Sequence, residues 1–120
     1  MERNCKQSEH EERVKNVKKR FLSDTDVQKI CNVFRVLSDA TRLKIVESLK
    51  GGELCVYHIV EVCGGTQSAI SHQLRILKDN RVVKSRRDGQ NILYSIADEH
   101  IFEILKMSEE HLRCDEGETV

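Results

Sequence analysis

Apolar positions recur at helical spacing through the first two thirds of the chain, alternate like strands between Val82 and Ile96, and return to helical spacing after Asp98. Val27, Ile30, Cys31, Phe34 and Leu37 form one stripe, so a helix is expected from a cap at Ser23 or Asp24 to about Leu37, with that stripe in the core. SDATRLKIVESLKGG predicts a second helix, capped at Ser38 or Asp39, with Leu43, Ile45, Val46 and Leu49 inward and a stop at Gly51 and Gly52. ELCVYHIVEVCGG reads as a short helix ended by Gly64 and Gly65, and TQSAISHQLRILKDN as the next, capped by Thr66. Two short helices joined by a tight glycine turn describe a helix-turn-helix. VVKSRR and NILYSI then alternate around Asp88-Gly89-Gln90, a hairpin signal, and a final helix covers DEHIFEILKMSEEHLRC. The fold class is therefore mainly α with a β-hairpin wing. Residues 1–22 form a charged arm or weak solvated helix, 23–114 the winged helix-turn-helix domain, and 115–120 an acidic tail.

Composition makes a lone copy an incomplete answer. Of 120 residues, 38% are hydrophobic, 33% charged and 4% aromatic, so a monomer would have a thin core and would gain from burying more surface in a homodimer. No apolar run approaches bilayer length and the charged start lacks a signal segment, so a cytoplasmic protein without membrane contact is expected. Five cysteines without a CxxC pair fit a reducing compartment, and Cys31 and Cys63, on apolar faces, are expected to be buried and inert.

The formal net charge is zero, but it is unevenly spread. Six basic residues stand against two acidic ones between His72 and Gln90, while eight acidic residues stand against two basic ones from Asp98 onward. On the Thr66–Lys78 helix, Ile70, Leu74 and Leu77 make the inward face. Gln67, Ser68, Ser71, His72 and Arg75 lie on the other side, where short polar groups and a cation suit base edges and phosphates of double-stranded DNA. Arg86 and Arg87 at the hairpin extend the same basic surface.

The last helix raises a separate question. Asp98 and His100 sit at one end and His111 and Cys114 at the other, eleven residues or roughly 16 Å from histidine to histidine at a 1.5 Å rise. Metal–ligand bonds are about 2.0 to 2.3 Å, so one copy cannot gather all four donors. Either the pairs are unrelated or a second copy completes the set.

LSDATRLKIVESL, ELCV, TQSAISHQLRILKDNRVVKSRRDGQNILYSI and DEHI with a downstream histidine, in that order, resemble the ArsR/SmtB family of metal-responsive repressors from about Asp26 to Cys114. The resemblance implies a homodimer whose apo form occupies operator DNA and which metal releases. It also implies two antiparallel C-terminal helices that set Asp98 and His100 of one chain against His111 and Cys114 of the other. The expected ions are Zn(II) or Cd(II), with Co, Ni and Pb as further candidates; a thiolate at Cys114 departs from the commoner Glu or His and favours thiophilic ions, and Asp115 or Glu116 is the alternative donor. Arg81 is expected to lie on a relay in which the second ring N–H of His111 bonds the nearby backbone.

Some relatives also hold metal between this short helix and the partner's N-terminal arm, which here offers Cys55 and His58 with Cys5 and His10. Tyr57 stands where arsenic and lead/cadmium sensors carry a second thiol, which argues against a three-sulfur site. Two alternatives remain: a thiol-based repressor acting through Cys55, or a constitutive DNA binder with a structural metal. An enzyme is not expected, because Cys55 and His58 share one short helix with no third residue or oxyanion site, and no small organic substrate is implied.

Overall fold

The computed structural model describes residues 7–117, with side chains as far as Cys114. In chain order the elements are α1 (Gln7–Lys19), α2 (Asp24–Leu37), α3 (Ala40–Ser48), β1 (Leu54–Cys55), α4 (Val56–Cys63), α5 (Gln67–Asp79), β2 (Val83–Asp88), β3 (Asn91–Ile96) and α6 (Glu99–Gly117). They fall into two compact units, residues up to Asn32 and residues from Val33 onward. In the first, α1 buries no residue, as expected of a helix whose charges surround it, and the Ser23 hydroxyl accepts a hydrogen bond from the Asp26 N–H at the start of α2. No helix among the described residues is long and apolar enough to cross a membrane.

The second unit is organised by its caps. Asp39 accepts from the Arg42 N–H at 3.0 Å and opens α3, and Thr66 accepts from the Ala69 N–H at 3.1 Å and opens α5. Between α4 and α5 the chain turns through Gly64 and Gly65, at φ 82° and 88°, which a side chain would strain. Ile45, Val46, Ile59, Ile70, Leu74, Leu77, Val82 and Val83 form the centre of one core, which Val36, Leu37, Leu49, Ile101 and Leu105 extend to α2 and α6. Fully burying each such aliphatic side chain contributes about 1.5 to 3 kcal/mol before entropy is charged.

Three expectations change. The wing is a three-stranded antiparallel sheet of order β1-β3-β2, because Leu54 and Cys55 pair with Tyr94 and Leu93 on the free edge of β3; a strand of two residues carries no alternation to read. The α2 stripe is largely uncovered: Val27, Ile30, Cys31 and Phe34 are exposed, and the inward face is Val36 and Leu37 with Val33 half-buried. Cys31 is therefore not a buried thiol and Cys63 is only half-buried, while Leu43 of α3 is also exposed. Helical spacing locates an apolar face but not whether this chain or another covers it.

The join between α5 and the wing is closed by two backbone hydrogen bonds. Arg81 N–H donates to the Lys78 carbonyl at 3.0 Å and Val82 N–H to the Leu77 carbonyl at 2.9 Å, the paired closure that ends a helix in a left-handed residue. That residue is Arg81, at φ 61°, where glycine is usual. A side chain held there costs about 1 kcal/mol. Arg81→Gly should accordingly raise the thermal midpoint by a few degrees without changing the circular dichroism spectrum, and a lowered midpoint would show that the side chain supplies compensating contacts.

Candidate nucleic-acid interface and metal-ligating groups

Full burial of Leu74 and Leu77, with Ile70 nearly so, fixes the roll of α5 and turns Gln67, Ser68, Ser71, His72 and Arg75 to solvent. A residue that helical periodicity does not mark holds the helix from behind. The Arg42 guanidinium donates through Nε to the Val36 carbonyl at 2.7 Å and through Nη1 to Gln73 Oε1 at 3.1 Å, so one partly buried cation ties the end of α2 and the start of α3 to the middle of α5. Arg75 also borders a polar groove of 390 Å³ with Ser71, Lys78 and Tyr94, where α5 meets the sheet.

The two wing arginines have different surroundings. Arg87, paired across the ladder with Ile92, is exposed and makes no ion pair among the described residues. Arg86 forms a bidentate pair with Glu53, Nε to Oε2 and Nη2 to Oε1, both at 2.7 Å. That contact holds the Glu53 carboxyl below the ordinary carboxylate range and raises Arg86 further.

On α6, Asp98 is a cap as well as a candidate ligand. Its Oδ1 accepts from the N–H groups of Ile101 at 3.3 Å and His100 at 2.8 Å, and these bonds, Ile101's foremost, lower its pKa. The same oxygen lies 3.3 Å from His100 Nδ1, and the His100 ring is almost wholly exposed. His111 and Cys114 are exposed near the other end. At 100° per residue, His100, Ile104, Met107, His111 and Cys114 share one face of α6. Among the described residues no three His, Cys, Asp or Glu side chains gather into a metal-holding group. The donors nevertheless suit a tetrahedral zinc-type ion, since they comprise one carboxylate, two imidazoles and one thiol. Among the described residues the His111 side chain makes no hydrogen bond. Lys50 joins the end of α3 to α6 through Glu47 and Glu109, each at 3.0 Å; the Glu47 contact chiefly raises the lysine pKa, and Lys50 lowers that of Glu109.

The second constellation is half assembled. Cys55, at the start of α4 with no side-chain capping bond, lies with its sulfur 3.4 Å from His58 Nδ1. His10 is exposed on α1 in the other compact unit, Cys5 lies outside the described residues, and the side chains of Asp115 and Glu116 are likewise outside them.

Comparison with known proteins fits this geometry. The profile described as bacterial regulatory protein, arsR family, matches residues 39–85, from the α3 cap into β2. A transcriptional repressor SmtB homolog from Synechocystis sp. is 38% identical over 104 residues, covering 87% of this chain and 79% of that one. The chain belongs to the ArsR family. A cadmium resistance transcriptional regulatory protein CadC homolog from Staphylococcus aureus is 35% identical to this ArsR-family chain, covering 87% of it and 86% of the relative. A homodimeric winged helix-turn-helix DNA-binding domain from Mycobacterium bovis, solved in solution, superposes with a TM-score of 0.66 at 28% identity, covering 78% of this chain and 93% of that one. The chain is thus a winged helix-turn-helix, DNA-binding transcriptional regulator.

Two outcomes test these local assignments. Arg42→Lys keeps the charge but cannot span both acceptors, and should lower stability by roughly 1 to 2 kcal/mol in denaturant titration. Asp98 titrates in the folded chain below its ordinary value of 3.8. Its capping contribution is therefore complete above that value and lost as pH falls through the lower folded pKa. Asp98→Asn, which still caps, should remove this acid-side loss of helicity, and an unchanged acid limb would assign it to other carboxylates.

Proposed function

We propose that this ArsR-family regulator is a metal-responsive repressor. Its apo homodimer holds operator DNA, and Zn(II)- or Cd(II)-type ions release it from two intersubunit sites. One observation carries the reading: α6 presents donors at both ends of one face, His100 beside Asp98 and His111 beside Cys114, with Ile104 and Met107 between them. Met107 is 61% exposed, and an apolar middle flanked by ligands is what a helix needs to cross a second copy of itself antiparallel. Such a crossing sets His100 against the other chain's His111 and converts two half-sites into two four-donor sites. Uncovered Phe34, Leu43 and Leu112, beside a 510 Å³ apolar groove also lined by Ile104 and Leu105, supply further surface for that association.

Release follows if the ion favours a dimer geometry that fits DNA poorly. Reversing occupancy from 1:99 to 99:1 requires roughly a 10⁴-fold difference in metal affinity between the two states. Ligands from both chains give the ion a hold on the spacing of the two α5 helices, which a two-fold operator needs about 34 Å apart. Gln67, Ser68, Ser71, His72 and Arg75 on α5 and Arg86 and Arg87 on the wing are assigned to DNA, and the His111 relay toward the backbone at Arg81 is assigned to the dimer. A regulatory rather than catalytic role fits the curated relatives, which are transcriptional regulators.

A second reading rests on the 3.4 Å contact between Cys55 and His58, which would let a thiol-directed signal or soft ion act next to the wing. Titrating Zn, Cd, Co, Ni and Pb into an operator complex separates the readings. The first expects at least one ion to weaken binding tenfold or more in the native chain and not in His100→Ala. Release that survives His100→Ala but not Cys55→Ser would favour the second. An affinity that no ion changes would leave a constitutive DNA binder.

A further inference from the structure

Glu53 sits between α3 and β1, immediately before Leu54, and Arg86 lies in β2, with β3 between their strands. Leu93 of β3 pairs with Cys55 on one side and Arg86 on the other, so the ion pair reaches over the central strand from one edge of the sheet to the other. Both guanidinium contacts are 2.7 Å and engage two oxygens of one carboxylate, the side-by-side fork that an arginine also offers to a phosphodiester. The pair lies on the surface, with side-chain exposures of 57% for Arg86 and 37% for Glu53, so an external anion can approach the same fork.

We propose that Glu53 acts as an internal stand-in for DNA phosphate, filling the Arg86 fork in the free protein so that the wing meets the duplex with one cation fewer than its sequence displays. The proposal rests on DNA binding through the wing. Arg87, next to Arg86 in β2, forms no ion pair among the described residues. Lys84, two positions before Arg86, acts on Glu53 only through its more distant charge, so the close clasp falls on one position of the strand. An exposed carboxylate–guanidinium pair is itself only weakly stabilising, because both groups are well solvated when apart. Whatever this bidentate fork adds to the fold, it removes one charge from those that strand β2 would otherwise turn toward DNA. Since the arginine holds the Glu53 carboxyl below its ordinary range, mild acidification does not open the clasp, and displacement is left to a competing anion or to loss of the glutamate charge.

The consequence is measurable in salt. Freeing one cation for one phosphate steepens the slope of log K against log salt by about 0.9 and strengthens binding about eightfold at 0.1 M. The experiment measures binding of the full chain to a labelled mixed-sequence DNA duplex across a salt series. It compares the native protein, Glu53→Gln, Arg86→Gln and the double variant, with circular dichroism melts to confirm folding. Glu53→Gln should bind several-fold more tightly with the steeper slope, and that gain should vanish in the Arg86→Gln background. Unchanged or weakened binding by folded Glu53→Gln would overturn the proposal, making the pair a splint for the sheet. A gain that persists without Arg86 would overturn it as well, since general charge removal would then explain the effect. If the native chain bound no duplex at any salt, the DNA reading itself would fall and the proposal with it.

Discussion

The burial of one helical row, Ile70, Leu74 and Leu77, is the contact on which the rest of the molecule depends. These side chains meet Ile45 and Val46 of α3, Ile59 of α4 and Val82 and Val83 at the start of the wing within a single core. Every α5 group assigned to DNA takes its position from that contact, because a rotation of α5 that exposed Leu74 would also carry Ser71 and Arg75 away from the surface. The core is small and almost wholly aliphatic. Its directional precision comes from a few polar ties, of which the Arg42 bridge to Val36 and Gln73 is the most central.

Charge serves different ends in different parts of the chain. Around α5 and the wing it is basic and mostly directed outward, whereas at the Lys50 junction it joins elements, linking Glu47 of α3 with Glu109 of α6 two residues before His111. Asp98 combines both uses, since its Oδ1 stabilises the first turn of α6 while the carboxylate stands beside His100. In the proposed site this cap would keep its carboxylate ordered before any ion arrives, which would lower the entropy cost of assembly.

Local features were legible in the amino-acid sequence and long-range ones were not. Caps at Asp39 and Thr66, the glycine turn at Gly64 and Gly65, the hairpin at Gly89 and the inward row of α5 all follow from residues within a turn or two of one another. Arg42 with Gln73 and Glu53 with Arg86 are 31 and 33 positions apart, and no periodicity links such partners. Strand β1 leaves no mark in the alternation of residues, because pairing with β3 defines it. The stripe on α2 is apolar at helical spacing, and spacing alone does not say whether this chain or its surroundings cover it. The candidate ligands could be named from spacing on α6 because a helix preserves distance along its axis, while their convergence depends on a second copy that one chain does not contain.

The closure at Arg81 has one further consequence. Two backbone hydrogen bonds join the end of α5 directly to the start of β2, with no free linker between them. A helix and wing joined so closely have little room to adjust separately to a duplex, which shifts more of any misfit onto the bending and groove width of the DNA. Base steps that no side chain touches then enter the choice of binding sequence through their stiffness.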